Sequence, residues 1–364
     1  MLLINNDEVE QLLSMKDTLD VLEIAYQDLA KGDATYRPRI DVRAPADHPQ
    51  GEVFNWGTME GLSRTLGIFA IRMKSDILYW PGGETQEKFC VEPGTFCGLV
   101  MLFSIRNGEP LAIMPDGVVQ HMRVGACAGL GARYMARPDA AVVGMLGSGG
   151  MARTYLRAFA EVRPISKVKV YSPTRANREA YAAEMGENLG ITVEPVERPE
   201  DVYDGADIIS ACTDSILPVV QGPDLIKPGM HITDVSSEFT RETVEQCDLV
   251  ARLGRESFEG TDEGIRHFSS IATYVAGEAE VVSRMPSGAR QGPHDWFHNA
   301  PGITDLMTGK VAGRNSPEQI TFFHTSGTQG LQFAAAAGKV YEEARKRGMG
   351  RDLPTDWFLE KIRD

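Results

Sequence analysis

One short stretch constrains the fold more than any other. Gly147-Ser148-Gly149-Gly150-Met151-Ala152 follows the apolar run AVVGML and opens the helix-patterned MARTYLRAFAEV. Strand, glycine turn and helix in that order form a dinucleotide cradle. The first glycine permits the tight turn, the second lets the backbone approach a pyrophosphate, and Ala152 allows close helix–sheet packing. The helix start offers unpaired N–H groups to the anion. No GxxxxGK[ST] is present, which excludes a Walker A loop. A glycine turn that binds nothing is the bland alternative. The following strand, KVKVYS (167–172), ends in Ser172, where an NAD site usually carries Asp or Glu for the ribose hydroxyls. Ser172, Thr174, Arg175 and Arg178 can instead donate to a 2′-phosphate. The pattern therefore favours NADP(H), with NAD(H) as the alternative, unless the arginines merely solvate a helix start.

Further short apolar runs follow: ITVEPV (191–196), DIISACT (207–213), MHITDVS (230–236) and DLVARLG (248–254). Strands alternating with helices or short links predict an α/β fold with a Rossmann-type, doubly wound parallel sheet. Upstream the character differs. Ser14–Gly32 reads as a helix, and residues 36–42, 51–61 and 66–76 read as extended. Residues 98–115 read as a hairpin about Asn107-Gly108, and 120–136 as a second helix ending before Pro138. Residues 77–95 read as a long loop over a site, and 275–318 as loop-like. Gln329 begins a last helix stopped by Gly348 and Gly350.

A length of 364 residues suits two domains. With 51 acidic against 37 basic residues the formal charge is −14, which argues against nucleic acid or anionic lipid as a partner. Five scattered cysteines without a CxxC pair argue against a disulfide framework and fit a reducing, cytoplasmic setting. The start, MLLINNDEVEQLL, lacks the features of a signal peptide, and no apolar run is long enough to span a membrane. His294 and His298 have i,i+4 spacing, but no further ligands complete a zinc set, so no metal is expected.

Three basic residues border apolar stretches: Arg39 in YRPRIDV, Lys74 in FAIRMKSD and Arg123 in VVQHMRVGACAG. Converging on one cleft they would hold a carboxylate; singly, each reads more readily as a surface or snorkelling charge. Arg72 and Lys74 share a strand face, so spacing alone does not say which enters a site.

The stretches EPGTFCGLVMLFSIRNGEPLAIMPDGVVQHMRVGACAGLGARYMARPDA (92–140) and AVVGMLGSGGMAR (141–153) resemble the ornithine cyclodeaminase/mu-crystallin family. The resemblance implies a substrate and dimerisation domain of α+β type from both chain ends (1–125 and 320–364) and a nucleotide domain (126–319). It implies homodimers and chemistry on small amino or imino acids. The expected activity is NAD(P)H-dependent imine reduction or amino-acid dehydrogenation. The alternatives are redox-neutral cyclodeamination of ornithine to proline and ammonia, or a non-catalytic, mu-crystallin-like ligand-binding protein. The family's carboxylate-binding cations match Arg39, Lys74 and Arg123, with Lys74 a clamp or polariser, and its threonine matches Thr95, beside substrate or nicotinamide. Its late acid falls on Glu238, which with Asp116 or water would supply the proton. Cys212, Thr213, Ser236 and Gly327 complete the expected cofactor contacts. Departures are Gln332, where relatives carry an aspartate, a longer segment 77–91, and Trp296 and Phe297. The pairs Phe54/Trp56 and Tyr79/Trp80 point to a substrate with a bulky or aromatic side chain, unless they are packing residues.

Overall fold

The computed structural model describes residues 1–48, 51–83, 86–213, 215, 218–219, 223–235, 238–254, 265–268, 271–286 and 299–362. The strands β1 (Leu2–Leu3), β2 (Ala34–His48), β3 (Gly51–Ser63), β4 (Ile68–Tyr79), β5 (Glu87–Phe89), β6 (Cys97–Ser104) and β7 (Pro110–Pro115) precede the glycine turn. After them come β8 (Val142–Leu146), β9 (Lys167–Tyr171), β10 (Thr192–Pro195), β11 (Ile208–Ala211), β12 (His231–Asp234) and β13 (Leu249–Arg252). The last are β14 (Ile265–Phe268), β15 (Ile271–Val275), β16 (Thr321–His324) and β17 (Arg351–Asp352). One sheet runs β14-β15-β2-β3-β4-β6-β7-β1-β17, with β5 also paired to β4. The other runs β10-β9-β8-β11-β12-β16-β13. Every pairing in the second sheet is parallel. Its order reverses between β8 and β11, which opens a crevice at their carboxyl ends. The expected Rossmann-type sheet is present.

The helices are α1 (Asn6–Leu12), α2 (Met15–Lys31), α3 (Gly117–Met135), α4 (Gly150–Val162), α5 (Arg175–Leu189), α6 (Arg241–Val244), α7 (Glu278–Arg284), α8 (Ile303–Met307) and α9 (Gln329–Arg347). Helix α2 begins where the Ser14 side chain accepts from the Asp17 N–H and stops at Gly32 in the left-handed region. Its Leu19, Leu22 and Ala25 enter the first core. Helix α3 serves both sheets. Met122, Ala126 and Leu130 join the first core, whereas Val124, Ala128 and Ala132 join the core of the parallel sheet. One helix thus fixes the two halves against each other.

Strand membership crosses the expected domain bounds in two places. β15 pairs in parallel with β2, so residues 271–275 belong to the first sheet although they fall within 126–319. β16 lies inside the parallel sheet although it falls within 320–364. The reading of 77–95 as loop is also corrected, because β5 pairs with β4 through Ile77↔Phe89 and Leu78↔Lys88. β5 and β14 are only three and four residues long, too short to declare themselves by periodicity.

Candidate active site

The inner face of the first sheet holds the chemistry. Side chains alternate along β4, so Ile68, Ala70, Arg72, Lys74, Asp76 and Leu78 share the buried face. Registers β2–β3–β4–β6 set Asp41, Gly57, Lys74 and Gly98 in one row, and Arg43, Asn55 and Asp76 in the next. A charged band therefore crosses a sheet that is apolar on either side. Ile68 and Ala70 lie in the main core, and Val53, Leu78 and Trp80 pack with Val281 and Met285 at the end of α7.

Each charge is positioned by a backbone device. The β2–β3 register shifts between Arg37 and Ile40, at Pro38-Arg39. Proline brings no N–H to the ladder, and such a bulge re-aims the adjoining side chain. Arg39 then meets Asp41 through two bonds of 2.7 Å. Arg43 donates to Asn55 at 2.8 Å and lies 3.8 Å from Asp41. Lys74 pairs with Asp76. Asp116, at the start of α3, leans over Gly98 and accepts from Arg72 Nε at 2.7 Å. A Cβ on Gly98 would lie 2.2 Å from the Asp116 carboxylate, so the row needs glycine there. Gly57 is similarly crowded by Asp41 and Lys74.

Arg123, on α3, donates to Gln332 at 2.7 Å and Gln120 at 2.8 Å, and its guanidinium lies 5.1 Å from the Phe333 ring centroid. Arg72 stacks on the same ring at 5.6 Å. Gln332 is itself held by Tyr26, Gly327 and Thr328, so it orients Arg123 without neutralising it. Burial lowers Arg123 to about 10, with Arg72 adding to the effect. Lys74 falls to about 7, first because burial penalises its charge and then because Arg39 repels it. Burial raises the Asp41 carboxyl, but Arg39, Lys74 and Arg43 outweigh it and hold the group below its usual range.

A cleft over the glycine turn adjoins this band. Gly147 adopts φ +103°, and a Cβ there would sit 2.1 Å from the Cys212 carbonyl oxygen. The Gly147 N–H donates to the Tyr171 carbonyl, and the Cys212 N–H to the Leu146 carbonyl, pinning the turn between β9 and β11. Gly149 precedes α4 with no side-chain cap, and a Cβ on it would meet nothing within 4 Å. Open space over uncapped helix N–H groups suits a pyrophosphate. The cleft measures about 650 Å³ and extends from Gly147 past Ser172 to Cys212 and Thr213. His121 links the two regions. It lines the cleft beside Gly150, and Asp116, Arg123 and Lys88 all act on its charge.

The structure gathers Arg39, Lys74, Asp116 and Arg123 about the charged band. It sets Gly147, Ser148, Gly149, Gly150, Met151, Ser172, Cys212 and Thr213 along the cleft. Other expected residues lie elsewhere. Ala152 is buried in the helix–sheet packing. Thr174 stands at the exposed start of α5 without a side-chain capping bond, and Arg175 pairs with Glu179. Arg178 is turned under the loop, where it donates to the Ser172 carbonyl and pairs with Glu197. Thr95 uses its hydroxyl within its own loop, on the carbonyls of Cys90 and Glu92. Glu238 is 1% exposed and accepts from the N–H groups of Thr213 and Val235, on the nucleotide side. Gly327 is buried, its carbonyl taken by Gln332. Ser236, His294, Trp296, Phe297 and His298 lie outside the described residues. Phe54 and Trp56 alternate to the outer sheet face, and Trp80 packs on α7, so these aromatics do not argue for a bulky substrate. Sequence reading overlooked Asp41, Asp76 and Lys88; the period-two polar string Arg72-x-Lys74-x-Asp76 inside an apolar strand was the available signal. Among the described residues no group of His, Cys, Asp and Glu could hold a metal, and no helix is long and apolar enough to cross a membrane.

Residues 1–348 match the ornithine cyclodeaminase/mu-crystallin family, and the chain belongs to it. Among curated relatives, a Delta(1)-pyrroline-2-carboxylate reductase of Bacillus cereus is 25% identical over 354 residues, covering 97% of this chain and 99% of that protein. An alanine dehydrogenase of Archaeoglobus fulgidus is 24% identical over 354 residues, covering 97% and 98%. Among solved structures, the Thermococcus litoralis Delta(1)-pyrroline-2-carboxylate reductase in complex with NADH and L-proline superposes with a TM-score of 0.73. It is 25% identical, and the match covers 97% of this chain and 100% of that one.

Proposed function

We propose that this member of the ornithine cyclodeaminase/mu-crystallin family is a nicotinamide-dependent oxidoreductase that reduces a small imino acid to its amino acid, or runs the reverse. The observation that carries the reading is the adjacency of the glycine-turn cleft and the charged band, joined where His121 meets Gly150. A nicotinamide cofactor bound in the cleft supplies the hydride. Its pyrophosphate fits over Gly147–Ala152, and Ser172 at the β9 tip, with Thr174 and Arg175 beyond it, favours NADP(H).

The chain's own residues do the rest. Arg123, Lys74 and Arg39 grip the substrate carboxylate, with the Arg123 plane fixed by Gln332 and Phe333. The C=N nitrogen must gain a proton as its carbon is reduced. Lys74, lowered to about 7, stands near the ideal acidity for that transfer at neutral pH. Asp116, paired with Arg72, is the second candidate in the band, whereas Glu238 accepts from the strand-end N–H groups of Thr213 and Val235. Replacing Lys74 or Arg123 distinguishes an enzyme from a binding protein: turnover falls while nucleotide affinity stays. Two units built on the two sheets and joined through α3 are the domain reading.

The outer face of the first sheet supports a homodimer. Trp56, Ile71, Met73, Met101 and Phe103 are only half-buried there, and Leu99 is exposed. A second copy would cover this face, and sedimentation at equilibrium reads the mass directly.

The test of the activity is oxidation of NADPH, and of NADH in parallel, by imines formed from 2-keto acids with ammonia or methylamine. Substrate-dependent loss of reduced nicotinamide is expected. Tight nucleotide binding with no turnover of any imine overturns the reductase reading.

A further inference from the structure

The charges around the band do not balance. Arg39, Arg72, Lys74, Lys88 and Arg123 outnumber Asp41, Asp76 and Asp116 among the described residues. Three of these cations have a close carboxylate each: Arg39 with Asp41, Arg72 with Asp116, and Lys74 with Asp76. Arg123 has amide oxygens and a ring, and its Nε is buried without a hydrogen-bond partner. Lys88 has no carboxylate within ion-pair distance among the described residues. A single substrate carboxylate would leave part of this excess in place, and burying uncompensated charge is costly.

Lys88 is the cation that the carboxylate clamp does not use. It lies on β5, opposite Leu78, and cross-strand partners share a face. Leu78 belongs to the inner face with Asp76, Lys74 and Arg72, so Lys88 is directed over the same band. Asp76, Arg39, Arg72 and Asp116 all act on its charge, and the residue is exposed to solvent.

We propose that Lys88 binds a second anionic group of the substrate, which makes that substrate a dicarboxylic imino or amino acid. This deepens the reductase reading and rests on it for the reacting carbon and the first carboxylate. The same excess of cations repels a second ammonium, so diamino acids such as ornithine are poor ligands.

The test compares matched pairs: 2-oxoglutarate with 2-oxopentanoate, and oxaloacetate with 2-oxobutyrate, each with ammonia and reduced cofactor. The dicarboxylate is expected to have a kcat/KM at least about tenfold higher, the scale of one added charged hydrogen bond. In K88M that ratio is expected to collapse toward unity, and in K88R to persist, with circular dichroism confirming that both variants fold. Equal ratios in the wild-type protein, or an unchanged ratio in K88M, overturn the proposal. Thermal shift of the cofactor-loaded protein by glutarate against butyrate supplies a readout without turnover. If no keto acid reacts, the reductase reading fails and this binding comparison decides. A glutarate preference lost in K88M upholds the second anion site, and no preference overturns it.

Discussion

Gly98→Ala tests whether the charged band depends on the clearance that glycine gives it. The new Cβ would sit 2.2 Å from Asp116 Cγ and Oδ1, against at least 3.4 Å for ordinary contact. The carboxylate must therefore retreat by more than an ångström, and the 2.7 Å bond from Arg72 Nε breaks. Arg72, with a side chain only 9% exposed, is left without its counter-ion. Removing one partner of a buried pair costs about 3–5 kcal/mol; stacking on Phe333 and slight exposure place this case near the lower figure, ~3 kcal/mol. Urea unfolding, at a slope of about 2 kcal/mol/M, would show the midpoint falling by ~1.5 M. A displacement of this size beside the reacting groups also lowers kcat/KM by about 100-fold. The control is the same substitution in an Asp116→Ala background, where the added cost should stay under ~1 kcal/mol. A Gly98→Ala protein within ~0.5 kcal/mol of wild type, or an equal cost in both backgrounds, refutes the reasoning.

Arg123→Met should lower kcat/KM by about 100-fold or more, the worth of a charge-assisted hydrogen-bonded clamp, while fluorescence titration shows unchanged nucleotide affinity. Arg123→Lys should recover little of it, because an ammonium cannot reproduce the fork held by Gln332 and Gln120. Gly147→Ala should abolish nucleotide binding in calorimetry, since its φ of +103° and the 2.1 Å approach to the Cys212 carbonyl forbid a side chain. Lys74 is lowered to about 7, so its protonated form is lost as pH rises through that value. The kcat/KM for imine reduction should then fall about tenfold per pH unit above about 7, and Lys74→Arg should flatten the profile. The unfolded lysine keeps its proton up to about 10.5. The folded protein thus binds fewer protons between about 7 and 10.5, and this group makes stability rise with pH across that window.

The glycine turn, α2 and the β6–β7 hairpin were legible because their signals are local. A glycine turn after an apolar run, Ser14 and Gly32 bounding α2, and Asn107-Gly108 in a hairpin each carry their structural reason within a few residues. Arg39, Lys74 and Arg123 could be named as cations but not brought together, since their convergence depends on the β2–β3–β4 register and on α3 spanning both cores. Asp41 and Asp76 matter only through the side chains that those registers set beside them. Lys88 escaped notice because β5 is three residues long and takes its face from Leu78 across the ladder. Thr95 and Arg178 have the chemistry expected of them, but local bonds to carbonyl groups turn them aside. Phe54 and Trp56 misled because aromatic character does not say which side of a two-faced sheet a residue occupies.

The measurement that bears most directly on the account is label transfer from reduced cofactor carrying deuterium at nicotinamide C4. With an imine of a dicarboxylic 2-keto acid as acceptor, mass and proton spectra of the product should show one deuterium, at the α-carbon, from one C4 face only. That result follows if the glycine-turn cleft and the cation-lined band act as one site. An amino-acid product without deuterium, or cofactor bound tightly with its label retained, would contradict it.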